Sequence, residues 1–121
     1  MKRYNVEISE QPEIDIRGIY AYIAEDLQSP KYAEGQLERI EEAIYKLDKF
    51  PERFRSYDKE PWKSLGVRML IVDNYVALYV IEEDEKKGKE EEKEQQVTVI
   101  RVMYGGRDIE AQLQKTKEFL K

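Results

Sequence analysis

The residues of this chain best suited to chemistry are cationic and aromatic: Lys63, Arg68, Arg101, Arg107, Trp62 and Tyr104. Arg68 and Arg101 each interrupt an apolar run, and an arginine fork is planar, permanently charged and able to grip a phosphate bidentately. Strand alternation puts Arg68 on a face with Leu70 and Val72, and Arg101 on a face with Val99 and Met103. If helices leave that face open, the two guanidinium groups share a shallow concave surface. The alternative is an ion pair at the sheet rim, with Asp73 or Asp108, the common fate of half-buried charge. Trp62, after Pro61, reads as a core or loop anchor, with a base-stacking platform as the sharper alternative. Tyr104 closes a strand and is either a general acid or a packed rim aromatic.

Histidine and cysteine are both absent. That excludes disulfides, thiolate nucleophiles, Cys/His zinc sites and any Ser-His or Cys-His catalytic pair. Acid–base work at neutral pH falls to a perturbed Lys, Glu or Tyr. No carboxylate pair has catalytic spacing, and Gly105-Gly106-Arg107 lacks the pattern of a phosphate loop. Neither a metal nor a cofactor is expected.

These side chains need a scaffold, and 121 residues are enough for one domain but not for two cores. Tyr4, Val6 and Ile8 alternate with polar neighbours as in a short half-buried strand. Ser9 is a candidate N-cap, Pro12 sits in a first helical turn, and Ile16, Ile19, Tyr20, Ile23 and Leu27 form an apolar stripe. Ser29-Pro30 starts a second helix whose seam is Ala33, Leu37, Ile40, Ile44 and Leu47. Residues 51–64 are irregular. Strands are predicted at Val67–Val72, Tyr75–Ile81 and Val97–Tyr104, with Asp73-Asn74 as a hairpin turn. Asp108 then caps a terminal helix through Ile109, Leu113, Thr116 and Leu120. The class is α+β in the order β-α-α-β-β-β-α: an antiparallel sheet packed against a helical hairpin, forming one domain over 1–121. An RNA-recognition βαββαβ module does not fit, since no strand separates the first two helices.

The formal charge of −5 argues against a nucleic-acid partner only until it is divided along the chain. Residues 1–50 hold seven basic and eleven acidic groups, and residues 82–96 hold four and eight. Residues 51–81 hold five and four, and residues 97–121 five and three, so the remainder is slightly basic. The 82–96 run reads as a charged low-complexity hairpin loop, with an acidic contact surface as the alternative. Met1–Glu10 has no apolar run and the longest apolar stretch, Val76–Ile81, is far too short to span a bilayer. No membrane partner and a cytoplasmic location are expected.

The order of elements and several motifs resemble the RelE/ParE superfamily of type II toxin–antitoxin toxins, closest to its ParE-like, plasmid-stabilisation branch. The motifs are Tyr4-Asn5-Val6-Glu7-Ile8-Ser9, Ile19-Tyr20-Ala21-Tyr22-Ile23-Ala24, and Leu47 with Phe50-Pro51-Glu52-Arg53-Phe54. They continue with Gly66-Val67-Arg68-Met69-Leu70, Asn74-Tyr75 and Val102-Met103-Tyr104-Gly105-Gly106-Arg107-Asp108-Ile109. The resemblance implies a growth-inhibiting toxin held in a hetero-oligomer by a cognate antitoxin, acting on DNA gyrase or on ribosome-bound mRNA. For the mRNA-cleaving alternative, a metal-independent endoribonuclease, it implies phosphate contacts from Arg68 and Arg107. Proton transfer would then fall to Lys63 or Tyr104, with Arg101 and Trp62 in RNA or target binding. Tyr104 stands where such relatives often carry histidine, and no tyrosine follows Arg107. Both departures favour the gyrase-binding reading, with a non-toxic interaction module that keeps only the fold as a third.

Overall fold

The computed structural model describes residues 3–84 and 94–116. The elements follow the predicted order. Strand β1 (Asn5–Ile8) leads into helix α1 (Glu10–Ala21), which passes into a π turn over Tyr22–Asp26, and helix α2 (Pro30–Tyr45) returns. Strands β2 (Arg68–Val72), β3 (Tyr75–Asp84) and β4 (Glu94–Tyr104) precede the short helix α3 (Ile109–Gln114). The predicted terminal helix is present over Ile109–Gln114 and ends before Thr116, and Leu120 lies outside the described residues.

Helix α2 forms for the reasons legible in its sequence. Pro30 occupies the first turn, where its missing N–H costs nothing, and Ala33, Ile40 and Ile44 are buried along one side. Ser29 and Ser9 occupy N-cap positions, but neither side chain caps its helix. The Ser9 hydroxyl instead donates to the Val99 carbonyl at 3.0 Å, tying the start of α1 to β4. The stripe expected on the first helix holds through Ile16 and Ile23, which are buried, and fails at Leu27, which is 55% exposed. The π turn is the reason: Leu27 N–H bonds five residues back to Tyr22, which rotates the helix end away from its earlier face.

The sheet order is β1-β4-β3-β2. It is antiparallel except at one edge, where β1 lies parallel to β4 from Asn5↔Gln96 to Ile8↔Val99. β3 and β4 pair from Tyr75↔Tyr104 out to Asp84↔Glu94, so both strands run into the segment expected as a loop at 82–96. The residues between, 85–93, lie outside the described ones. Among the described residues no helix is long and apolar enough to cross a membrane.

Two apolar clusters sandwich the sheet. On one face Leu70, Ala77, Tyr79, Val97 and Val99 meet the helical hairpin through Ile16, Ile40 and Ile44. On the other, Val76, Leu78, Ile100 and Met103 pack under Tyr57, Trp62 and Leu113. The face expected to be open is therefore roofed by the irregular 55–67 segment and by α3. The physical cause is the composition of that segment: Tyr57, Trp62 and Val67 carry large apolar surfaces, and burial of each contributes on the order of 1.5–3 kcal/mol.

A β-bulge changes which residues face which layer. Tyr79 pairs with Val99, but the adjacent Leu78 pairs with Arg101, leaving Ile100 as the extra residue. Strand alternation is interrupted there, so Val99 joins the helix-facing cluster while Met103 lies in the opposite one.

Candidate functional site

The bulge settles where the two strand arginines lie, and they do not share a surface. Arg68 is in register with Tyr79, on the helix-facing side, whereas Arg101 is in register with Leu78, on the other. Each is held by protein groups. Arg68 Nη1 donates to the carbonyls of Phe54 (2.7 Å) and Glu52 (3.1 Å), fastening the irregular segment to the edge strand. Arg101 is only 7% exposed and donates from Nε and Nη2 to the two carboxylate oxygens of Asp15, at 2.8 and 2.9 Å. Its Nη1 reaches the Gln112 carbonyl and the Thr116 hydroxyl, and Asp15 also accepts the Val102 N–H at 2.9 Å. Arg101 thereby joins α1, β4 and α3. Its carboxylate partner comes from the first helix, and neither Asp73 nor Asp108 contacts it.

Trp62 is 2% exposed and meets Tyr57 edge-on at 6.0 Å between ring centroids, which fits the anchor reading. Its Nε1 has no partner among the described residues. Lys63 lies on the solvent side of the same segment, with its backbone N–H bonded to the Lys59 carbonyl.

Tyr104 and Arg107 remain available, and they stand on one turn. Arg107 N–H bonds the Tyr104 carbonyl at 3.1 Å, while Gly105 N–H reaches across to the Asn74 carbonyl at 2.8 Å. The two glycines are needed for space. A Cβ on Gly106 would lie 2.5 Å from Cε2 of the Tyr104 ring, and one on Gly105 would meet Val76 and the Asn74 carbonyl at 3.3–3.4 Å. The Tyr104 ring stands edge-on to Tyr75, with centroids 6.0 Å apart. Asp108 then caps α3 as expected, accepting the Ala111 N–H at 3.1 Å.

This turn borders a shallow groove of about 340 Å³ whose other walls are Arg55, Met69, Ile71 and the β2–β3 turn. Asp73 adopts the left-handed backbone that the turn requires, with φ of 55°. Its carboxylate accepts from Arg39 Nε at 2.7 Å and from Gln36 Nε2 at 3.0 Å, which pins the turn to α2. The Arg39 hydrogen bond, then that of Gln36, holds the Asp73 carboxyl below the usual carboxylate range. Burial, followed by the neighbouring hydroxyls of Tyr32, Tyr104 and Tyr22, pushes the Tyr75 hydroxyl above its ordinary value. Among the described residues Arg55 and Arg107 carry no ion pair or side-chain hydrogen bond.

Sequence reasoning singled out Tyr104 and Arg107 but missed Asp15, Tyr75, Ile71 and Arg55. A signal for Asp15 existed, since a carboxylate one position before Ile16 and four before Ile19 borders the buried side of α1. Tyr75 enters only through the Asn74-Tyr75 motif, and Ile71 and Arg55 carry no local signature of a site. They meet only because the β2–β3 turn and the end of β4 lie side by side.

The sequence and the fold place the chain among known proteins. The family described as ParE toxin of type II toxin-antitoxin system, parDE, matches residues 6–109, and the chain belongs to it. It resembles a chain of the chromosomal ParDE toxin–antitoxin system from P. aeruginosa at 18% identity and a TM-score of 0.62, over 84% of this chain and 96% of that one. It also resembles a chain of the RelBE2 toxin–antitoxin complex from Mycobacterium tuberculosis at 19% identity and a TM-score of 0.53, over 86% and 93%. No curated protein sequence matches it significantly. The chain is thus a type II toxin of the ParE/RelE fold.

Proposed function

We propose that this toxin arrests growth in the cytoplasm by binding DNA gyrase, and that a cognate antitoxin neutralises it in a hetero-oligomeric complex. One observation carries the reading: the exposed groups of the site are not assembled for proton transfer. Arg101 and Trp62 are buried, Arg68 is spent on two backbone carbonyls, and the Tyr104 hydroxyl has no hydrogen-bond partner among the described residues. A general acid–base pair needs its members within reach of each other or of a shared proton. What the groove offers instead is an exposed aromatic and apolar wall, Tyr104 and Ile71, flanked by two unpaired arginines, a composition suited to gripping a protein.

The test is a supercoiling assay with purified toxin and gyrase. Toxin should abolish supercoiling and accumulate gyrase-linked cleaved DNA, and adding antitoxin should restore activity. Unchanged supercoiling at high molar excess of toxin overturns the reading.

The position of Tyr104 and Arg107 on one turn favours a second reading, ribosome-dependent mRNA cleavage, in which Arg107 would hold phosphate and Tyr104 or Lys63 would move a proton. Primer extension on translated mRNA distinguishes it, since only this reading predicts new 5′ ends at the ribosomal A site. Normal growth on expression without antitoxin would leave the interaction-module reading alone standing.

A further inference from the structure

Tyrosines from four separate elements gather at one end of the molecule. Tyr22 opens the π turn, Tyr32 lies in the first turns of α2, Tyr75 begins β3 and Tyr104 ends β4. Their sequence separations give no hint of this. Tyr75 is the hub: its ring meets that of Tyr104 edge-on, and Arg39, which lies over the Tyr32 ring, binds Asp73 two residues before it. Burial, followed by the hydroxyls of Tyr32, Tyr104 and Tyr22, pushes the Tyr75 hydroxyl up. The three outer rings are 52–55% exposed. Leu27, in the same inter-helix connection, is equally exposed, and Ile71 continues the surface into the groove.

The patch is held in place rather than loose. The π turn presents Tyr22, and the chain reverses after it through Gln28 (φ of 52°) with the Ser29 N–H bonded to the Ile23 carbonyl. Arg39 lies 5.9 Å over the Tyr32 ring while bound to Asp73, so α2, the β2–β3 turn and the ring are linked. Rigid tyrosines lose little conformational entropy when buried, and their rings carry a polar tip that tolerates a wet rim.

We propose that this four-tyrosine end is the surface through which the toxin docks on its target, and that the target is a protein bearing a carboxylate opposite Arg107. The inference rests on the toxin reading above and names the face that reading uses. Charge decides the class of occupant. At the centre of the patch Arg39 is already neutralised by Asp73, leaving an uncharged aromatic middle, with Arg107 and, across the groove, Arg55 at its margin, both unpaired among the described residues. Protein interfaces have that anatomy, with charge depleted from the core and Tyr and Arg supplying the anchors. A polyanion needs several unneutralised cations along its path, and a chain of net charge −5 gives it no long-range attraction.

Full-length toxin carrying Tyr22→Ser and Tyr32→Ser, expressed without antitoxin, tests this. Both positions lie outside the groove, and far-UV circular dichroism checks that the variant folds. Viable counts should show arrest weakened at least about tenfold, as for loss of an interface anchor. Tyr22→Phe with Tyr32→Phe should keep most of the potency, and Ile14→Ser, an exposed apolar residue elsewhere on α1, should keep all of it. Should the double serine variant fail to fold, Tyr32→Ser alone makes the same test. Arrest at wild-type potency by the folded serine variant overturns the proposal. Lost arrest in the variant, with wild-type toxin inert towards gyrase, removes gyrase as the target and leaves the docking surface standing. Tight binding of single-stranded RNA by wild-type toxin, lost in the serine variant, overturns the protein assignment in favour of base stacking. A wild-type chain that causes no arrest overturns both readings.

Discussion

Asp15 shows how much one side chain can decide. Its carboxylate receives two bonds from Arg101 and one from the Val102 backbone, and both members of the ion pair have less than a tenth of their side chains exposed. A buried charge left without its partner is far more costly than a buried pair is beneficial. Asp15→Ala should therefore destabilise the protein by about 3–5 kcal/mol in urea unfolding. Asp15→Leu combined with Arg101→Met, which removes both charges, should recover most of that loss. A single variant within about 1 kcal/mol of wild type would contradict the account, since that is the scale of an exposed pair. Strand patterning found Arg101 as an exception in an apolar run, but the reason for the exception lies 86 residues away in α1.

At the scale of elements, the turn from β4 into α3 matters most to the site. Its glycines are selected by contact, because Gly106 lies against the Tyr104 ring and Gly105 against Val76 and the Asn74 carbonyl. Gly106→Ala should push the ring away from Tyr75. The ring is more than half exposed and the added methyl meets only its edge, so the cost in thermal stability should stay below about 1 kcal/mol. Growth arrest should nevertheless weaken, because Tyr104 no longer completes the aromatic surface. A variant with unchanged toxicity and a displaced ring would show that the orientation of Tyr104 is immaterial. The turn itself was visible in the sequence, as was the capping Asp108. That its tyrosine would stand beside Tyr75 was not, because the contact depends on the register of β3 against β4.

Over the whole molecule, the sheet is covered on both sides, by the helical hairpin on one and by the 55–67 segment with α3 on the other. One layer cannot come away without exposing the sheet that the other packs on, so unfolding should be a single transition. Tyr79 supplies a pH lever on it. Its hydroxyl donates to the Pro51 carbonyl at 2.6 Å, and burial pushes it up to about 12. An unfolded tyrosine loses its proton near pH 10, while the native one keeps it, so the unfolded chain binds fewer protons above that pH. Stability is intact below pH 10 and should fall by about 2–3 kcal/mol between roughly pH 10 and 12. Trp62 fluorescence, reporting one face, and far-UV circular dichroism of the hairpin, reporting the other, should follow one alkaline transition. Tyr79→Phe should remove this part of the pH dependence, and separate transitions for the two probes would show that the layers unfold independently.

The sequence alone determined what depends on near neighbours. Pro30 at a helix start, the Ala33–Ile44 seam, the Asp73-Asn74 turn and the Asp108 cap each rest on interactions spanning a few residues, and each is where it was expected. The tertiary structure decided what depends on partners far along the chain. It set the parallel pairing of β1 with β4, the bulge that sends Arg68 and Arg101 to opposite faces, and the roof over the second face. It also assembled the four-tyrosine end, for which no periodicity could stand in. The physical reason is common to all of these: propensity and capping act along the backbone, whereas register and side-chain contact are fixed only when separate elements pack.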